Sequence, residues 1–180
     1  KTKPSQQSVG ILRSIGIVPE LLICRCERPF AEEHRAKLAL FCGVRPEHVI
    51  EECDVANSIY EVPLELMRQH VDEKILNLLD LPKRTPDMAE WRAMVERLIS
   101  PPDGAAEIAV VGKYISLRDS YKSIYEALTH GAVAAGVRLK IRMLESEEIE
   151  ASGAAEKLGG VDGILVPGGF GVRGIEGKIA

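Results

Sequence analysis

The sequence predicts an α/β protein made of parts of two doubly wound parallel-sheet domains joined by a linker with a helix. Three observations predict it. Short apolar runs at 20–25, 107–111 and 163–166 each end in turn-forming residues, as strands buried in a parallel sheet do. Between them lie stretches with apolar residues at helical spacing, so strand and helix alternate at the interval of right-handed βαβ units. Finally, Pro82, Pro86, Pro101, Pro102 and Gly104 bracket one amphipathic stretch and break that rhythm in two. The expected division is 1–80 for the first part, 81–105 for the linker with a helix at 88–99, and 106–180 for the second part.

Composition narrows the function classes. With 180 residues, 46% of them hydrophobic and 28% charged, the chain has ordinary globular make-up and ample apolar matter for a core. A formal net charge of −4 leaves no electrostatic footprint for nucleic acid or an anionic membrane surface. No apolar run is long enough to span a bilayer, and the start, KTKPSQQS, lacks the apolar region of a secretory signal, so a cytoplasmic location is expected. Cys24, Cys26, Cys42 and Cys53 lie among apolar residues, and reduced thiols are expected. Cys24-x-Cys26 has no second ligand pair or nearby His at zinc spacing, so no metal site is expected. The chain begins at Lys1 without a methionine and ends, at Ala180, in what reads as the first turn of a helix; it is expected to be a piece of a longer protein.

The elements follow in order. Residues 1–10 are polar; in an extended segment Lys1 and Lys3 face the same way and would converge on one anion, backed by hydroxyl and amide donors. The alternative is a solvated terminus. A helix is expected over 8–14, ended by Gly16. The run 20–25 reads as a strand with Arg25 at its carboxyl end, where a guanidinium stacks on a base, clamps a carboxylate or pairs with Glu27. Pro29, Glu32 and Glu33 open a helix to Cys42, with Leu38, Phe41 and Cys42 inward, Lys37 among them, and Gly43 as its cap. A short strand at 48–51 leads to Asp54, which either accepts from an exocyclic amine or caps the next helix. That helix is expected over 58–70, Ile59 inward, and a further one over 71–79.

In the second part, 107–111 is a strand, and Asp119 and Ser120 cap a helix closing at Gly131 or Gly136. Residues 139–143 alternate with Lys140 and Arg142, which suits a strand near the sheet edge. A short helix at 154–158 precedes the strand 163–166 and its loop, Pro167-Gly168-Gly169-Phe170-Gly171. Loops at the carboxyl ends of parallel strands hold ligands, and successive glycines let main-chain N–H groups point at a developing negative charge. Taken alone, the loop reads better as a tight turn, and other parts of the chain must decide. His34, His48, His70 and His130 have no partner at catalytic spacing.

Six segments in this order, Lys1-Thr2-Lys3-Pro4-Ser5-Gln6, Ser14-Ile15-Gly16-Ile17, Leu38-Ala39-Leu40-Phe41-Cys42, Ser58-Ile59-Tyr60-Glu61-Val62-Pro63, Val111-Gly112-Lys113-Tyr114 and Ile164-Leu165-Val166-Pro167-Gly168-Gly169-Phe170-Gly171, resemble the CTP synthase family nearly end to end. The resemblance implies two Rossmann-like domains: the carboxyl-terminal part of an amidoligase and the opening of a class I glutamine amidotransferase. It implies UTP or CTP binding by Lys1, Thr2, Lys3, Pro4, Ser5, Gln6 and Lys37, and an ATP adenine pocket at Arg25, Asp54 and Val55. It also implies an oxyanion hole at Gly168 and Gly169, and a glutamine and GTP-responsive loop at Gly169, Phe170 and Arg173. The implied cofactors are ATP and Mg2+, the latter with ligands outside these residues, and GTP as activator. Glutamine is the nitrogen source and a homotetramer the assembly. Two departures stand out: Ala56-Asn57 carries one residue more than the family pattern, and Ser5 replaces a common threonine.

None of the four cysteines follows a strand into a Gly-x-Cys-x-Gly elbow, so none is the expected nucleophile, and the P-loop of the amidoligase would precede Lys1. The chain by itself is therefore expected to have neither activity. The rival readings are a non-catalytic α/β nucleotide-binding or assembly module that keeps the fold, and another class I amidotransferase.

Overall fold

The computed structural model describes residues 1–102 and 104–180; Asp103, inside the expected linker, lies outside the described residues. The chain divides into two compact units, Lys1–Val95 and Glu96–Ala180. Among the described residues no helix is long and apolar enough to cross a membrane.

The first unit is built on two parallel strands, β1 (Leu22–Cys26) and β2 (Val49–Cys53), in the register Leu22↔Val49 to Cys26↔Cys53. Helices α1 (Lys3–Ser14) and α2 (Glu32–Cys42) cover them, and Val9, Leu38, Ala39, Cys42 and Val49 form the core. Helix α1 begins at Lys3, not at the expected residue 8. Pro4 in its first turn has φ preset for a helix, Gln6 N donates to Thr2 O at 3.1 Å, and Gln6 Nε2 donates to Thr2 Oγ1 at 3.0 Å. The extended arrangement of Lys1 and Lys3 is thereby overturned. Gly43 takes the left-handed conformation (φ 61°) and stops α2, as expected. Phe41 does not point inward: the buried stripe runs through 38, 39 and 42, which leaves Phe41 on its flank, 55% exposed.

The expected helix over 58–70 is two pieces. Ser58 and Glu61 form a capping box on a 3-10 turn, Ile59–Glu61, and Pro63 then opens α3 (Val62–Arg68). Ile59 lies outward, and His70, with φ 55°, separates α3 from α4 (Val71–Leu78). Ahead of β2, His48 is buried with Nδ1 2.8 Å from Glu20 O and Nε2 beside Arg45. Helix α5 (Ala89–Ile99) carries Trp91, whose Nε1 donates to Tyr60 O at 2.9 Å and whose ring meets Tyr60 edge-on at 5.9 Å.

The second unit is a three-stranded parallel sheet in the order β4-β3-β5, with β3 (Ala105–Gly112), β4 (Arg138–Glu145) and β5 (Gly163–Leu165). Helix α6 (Lys122–Ala135) follows a 3-10 turn and ends at Gly136 in the left-handed region. Helices α7 (Ser146–Ser152) and α8 (Ala154–Leu158) follow β4, and α9 (Glu176–Ile179) follows the glycine-rich loop. Ala109, Val111, Leu144 and Ile149 form the core. Helix α7 has no counterpart among the expected elements, yet it supplies Ile149. On β4, Arg142 and Lys140 pair with Glu107 of β3 at 2.7 and 3.1 Å, which accounts for their alternation. Strand β5, expected to be buried, is half-buried at Gly163 and Leu165 and turns Ile164, 54% exposed, outward.

Candidate functional site

Two loop clusters stand at the carboxyl ends of the strands, one in each unit. In the first, β1 and β2 end together and the chain turns outward at Asp54, whose N–H donates to Cys26 O at 2.9 Å. A cavity of about 520 Å³ opens there, lined by Arg25, Glu52, Asp54 and Val55 at the strand ends and by Ser58 and Val62 beyond. Arg25 Nε lies 2.6 Å from Asp54 Oδ1, so of the alternatives for Arg25 the carboxylate it meets is Asp54 and not Glu27. Arg25 is 83% exposed on its side chain, which makes the pair an orienting device more than a stabilising one. Asp54 does not cap the next helix; Ser58 does, with Glu61 accepting from the Asn57 and Ser58 amides at 2.9 and 2.7 Å. These bonds hold the Glu61 carboxyl below its ordinary pKa.

Glu52 is one of the cavity residues that sequence reasoning did not assign to the site. Both its carboxylate oxygens are buried without a hydrogen-bond partner, and burial, then the charge of Glu65, pushes its pKa up. A single sequence shows no mark of this, because alternation along β2 predicts a face and not whether the face is filled.

A second cavity, of about 320 Å³, adjoins the start of α1 and is lined by Lys1, Thr2 and Ser5 together with Arg25, Arg28 and His34. Arg25 thus lines both cavities. Lys3, Pro4, Gln6 and Lys37 line neither; Lys3, Pro4 and Lys37 are exposed, and Gln6 is turned back on Thr2. Among the described residues no group of three or more His, Cys, Asp or Glu could hold a metal ion.

The second cluster is the loop after β5. Three of its carbonyls are taken by two lysines: Lys178 Nζ donates to Pro167 O at 2.6 Å, and Lys113 Nζ donates to Gly171 O at 2.5 Å and Phe170 O at 3.5 Å. Among the described residues the amides of Gly168 and Gly169 make no hydrogen bond. The left-handed positions are Gly171 (φ 78°) and Gly174 (φ 65°), so Gly168 and Gly169 are glycines for access rather than for turning. A Cβ on Gly169 would stand 3.2 Å from Lys178 Nζ and 3.4 Å from Lys113 Cδ. Phe170 is 96% exposed.

Arg173 braces this loop from outside. It donates to Lys113 O, pairs with Glu147 at 2.8 Å and lies 5.6 Å above the Tyr114 ring. Lys113 is buried, and its backbone N–H donates to Tyr121 Oη at 2.9 Å. Burial, then the neighbouring Lys113 charge, lowers the pKa of Lys178. The sequence signal for Lys113 is the Val111-Gly112-Lys113-Tyr114 segment, whereas nothing marks Lys178 or Glu147.

Residues 116–180 match the family model of the class-I glutamine amidotransferases, which gives the class of the second unit. Residues 1–81 match the model of the CTP synthase N-terminus. The chain is 51% identical over 180 residues to the CTP synthase of Cyanothece sp. (strain PCC 7425 / ATCC 29141), covering 100% of this chain and 32% of that protein. It is 53% identical over 179 residues to the CTP synthase of Desulfitobacterium hafniense (strain Y51), covering 99% and 33%. With that of Geobacter metallireducens the identity is 50% over 179 residues, again covering 99% and 33%. The chain belongs to the CTP synthase family, and it spans about a third of the length of the curated relatives it matches.

Proposed function

We propose that the chain works as part of a cytoplasmic, homotetrameric CTP synthase that aminates UTP to CTP, driven by ATP, with ammonia released from glutamine. What carries the reading is that both units present ligand-ready strand ends within one chain of this family: a cavity at Arg25 and Asp54, and two uncommitted amides at Gly168 and Gly169.

Arg25, Asp54 and the Val55 main chain take the adenine of ATP; the cavity volume and its mixed polar and apolar rim suit a flat base with an exocyclic amine. Lys1, Lys3 and Lys37 bring positive charge to the triphosphate of UTP or CTP, with Thr2, Pro4, Ser5 and Gln6 beside them. These lysines position charge and transfer no proton. ATP phosphorylates the carbonyl oxygen at position 4 of the uracil, and ammonia then displaces the phosphate. Mg2+ is assigned to ligands other than these residues.

In the amidotransferase half, a cysteine outside this chain attacks the glutamine amide, and Gly168 and Gly169 donate to the tetrahedral oxyanion. Removal of one such donor costs about 10²–10³ in rate. Phe170 and Arg173 lie where the loop answers to GTP; the bracing of Arg173 against Glu147 and Tyr114 supports its part in loop position. None of the four cysteines stands in a nucleophile elbow, and the 180-residue chain by itself is expected to perform neither half-reaction.

Lys3→Ala in the whole protein tests the nucleotide assignment. UTP and CTP affinities should fall together while glutamine hydrolysis persists; unchanged UTP affinity would remove the segment from the site.

A further inference from the structure

We propose that Cys26 and Cys53 form a dithiol site that low-molecular-weight disulfides convert into an intrachain cross-link at the rim of the Arg25–Asp54 cavity. The proposal is independent of what that cavity binds. The two residues are directly paired in the parallel register of β1 and β2, and their sulfurs are 3.6 Å apart, in hydrogen-bond contact. Both thiols are partly accessible, and Cys53 lines the larger cavity while Cys26 lines the smaller one. Cys42 is fully buried at the end of α2; Cys24 is half-buried and also lines the smaller cavity, but its register partner on β2 is Glu51, not a thiol.

The accessible thiol facing the larger cavity attacks first. Cys53, as thiolate, attacks one sulfur of a disulfide RS–SR; the S–S bond breaks, and RS⁻ leaves and takes up a proton. Cys26 then gives its proton to water and attacks Cys53 Sγ, and the second RS⁻ leaves and is protonated. Two cysteine thiols are oxidised and one RS–SR is reduced to two RSH. The order has a local cause. Burial, then the hydrogen bond and charge of Cys53 and the charge of Glu51, push the Cys26 thiol up to about 12. Once Cys53 is in the mixed disulfide its hydrogen bond and charge are gone while burial persists, and Cys26, paired with Cys53 in the strand register, is the resolving thiol by position. Closure draws the sulfurs from 3.6 Å to a bond of about 2.0 Å and clips the strand ends that carry Arg25 and Asp54.

The test treats the 180-residue chain with oxidised glutathione at neutral pH, then alkylates it in denaturant and maps the peptides without reduction. Two of the four thiols should be lost, with one cross-linked pair containing Cys26 and Cys53 and a glutathione adduct on Cys53 that rises and decays before it. Cys26→Ser should instead hold that adduct, and Cys24→Ser should still cross-link. Four alkylated cysteines, a cross-link through Cys24 or Cys42, or a lasting adduct in the unsubstituted chain would each overturn the proposal. The time course of the unsubstituted chain is decisive even where a variant does not fold.

Discussion

At the scale of single residues, Glu52 is the least comfortable group in the first unit, a carboxyl whose two oxygens are buried without partners. Its folded pKa lies above the unfolded value, so its favourable contribution is complete below the unfolded pKa and is lost as pH rises through the folded one. Glu52→Gln should therefore raise the unfolding temperature at neutral pH and leave it unchanged near pH 4; a scan of both proteins across that range checks it. Glu61 has the opposite sign. Its depressed pKa gives stability above the unfolded value that disappears as pH falls, and Ser58→Ala, which removes one half of the capping box, should cost about 1 kcal/mol in denaturant unfolding. Neither role is open to sequence reading in full. Ser58 and Glu61 stand at capping-box spacing, whereas the missing partners of Glu52 depend on what β2 packs against.

At the scale of elements, glycines with distinct tasks decide how the second unit closes. A Cβ on Gly177 would collide with the Ser146 carbonyl, so α9 docks on α7 at backbone contact, and Gly177 N donates to Glu150 Oε1 at 3.2 Å. Gly177→Ala should destabilise that docking by about 1–3 kcal/mol, seen as faster hydrogen exchange over α7 and α9. Helix stops are legible from sequence, because Gly43 and Gly136 take a conformation that other residues avoid. Helix starts are less so. Polar residues at 1–7 suggest a tail, yet Pro4 and the Gln6–Thr2 bonds make them the first turns of α1. Phe41 misleads for a related reason: an apolar side chain beside a buried stripe has the same periodicity as one inside it. The cross-strand partner of Arg25 is 29 residues away, beyond the reach of local spacing.

At the scale of the whole molecule, the proposed reaction splits into a half that makes ammonia and a half that uses it, and each has its own unit. In the whole protein, Gly169→Val, whose side chain would press on Lys178 and Lys113 and displace the loop, should therefore lower glutamine-dependent CTP formation while amination with added ammonium salts persists. Lys1→Ala should lower both. Equal loss from the two substitutions, measured with either nitrogen source, would deny the division. The identity of each half is readable because its segments lie in order along the chain, while the brace from Lys178, Lys113 and Arg173 comes from three places and becomes visible in three dimensions.

That brace has a chemical meaning for what the loop can attract. Three of its carbonyls, those of Pro167, Phe170 and Gly171, accept from two ammonium groups, while among the described residues the amides of Gly168 and Gly169 make no hydrogen bond. If the proposed oxyanion role holds, these amides would favour an oxygen gaining negative charge over one that is merely polar. On the proposed reading, discrimination between a reacting amide and a resting one would rest on these main-chain donors rather than on any side chain.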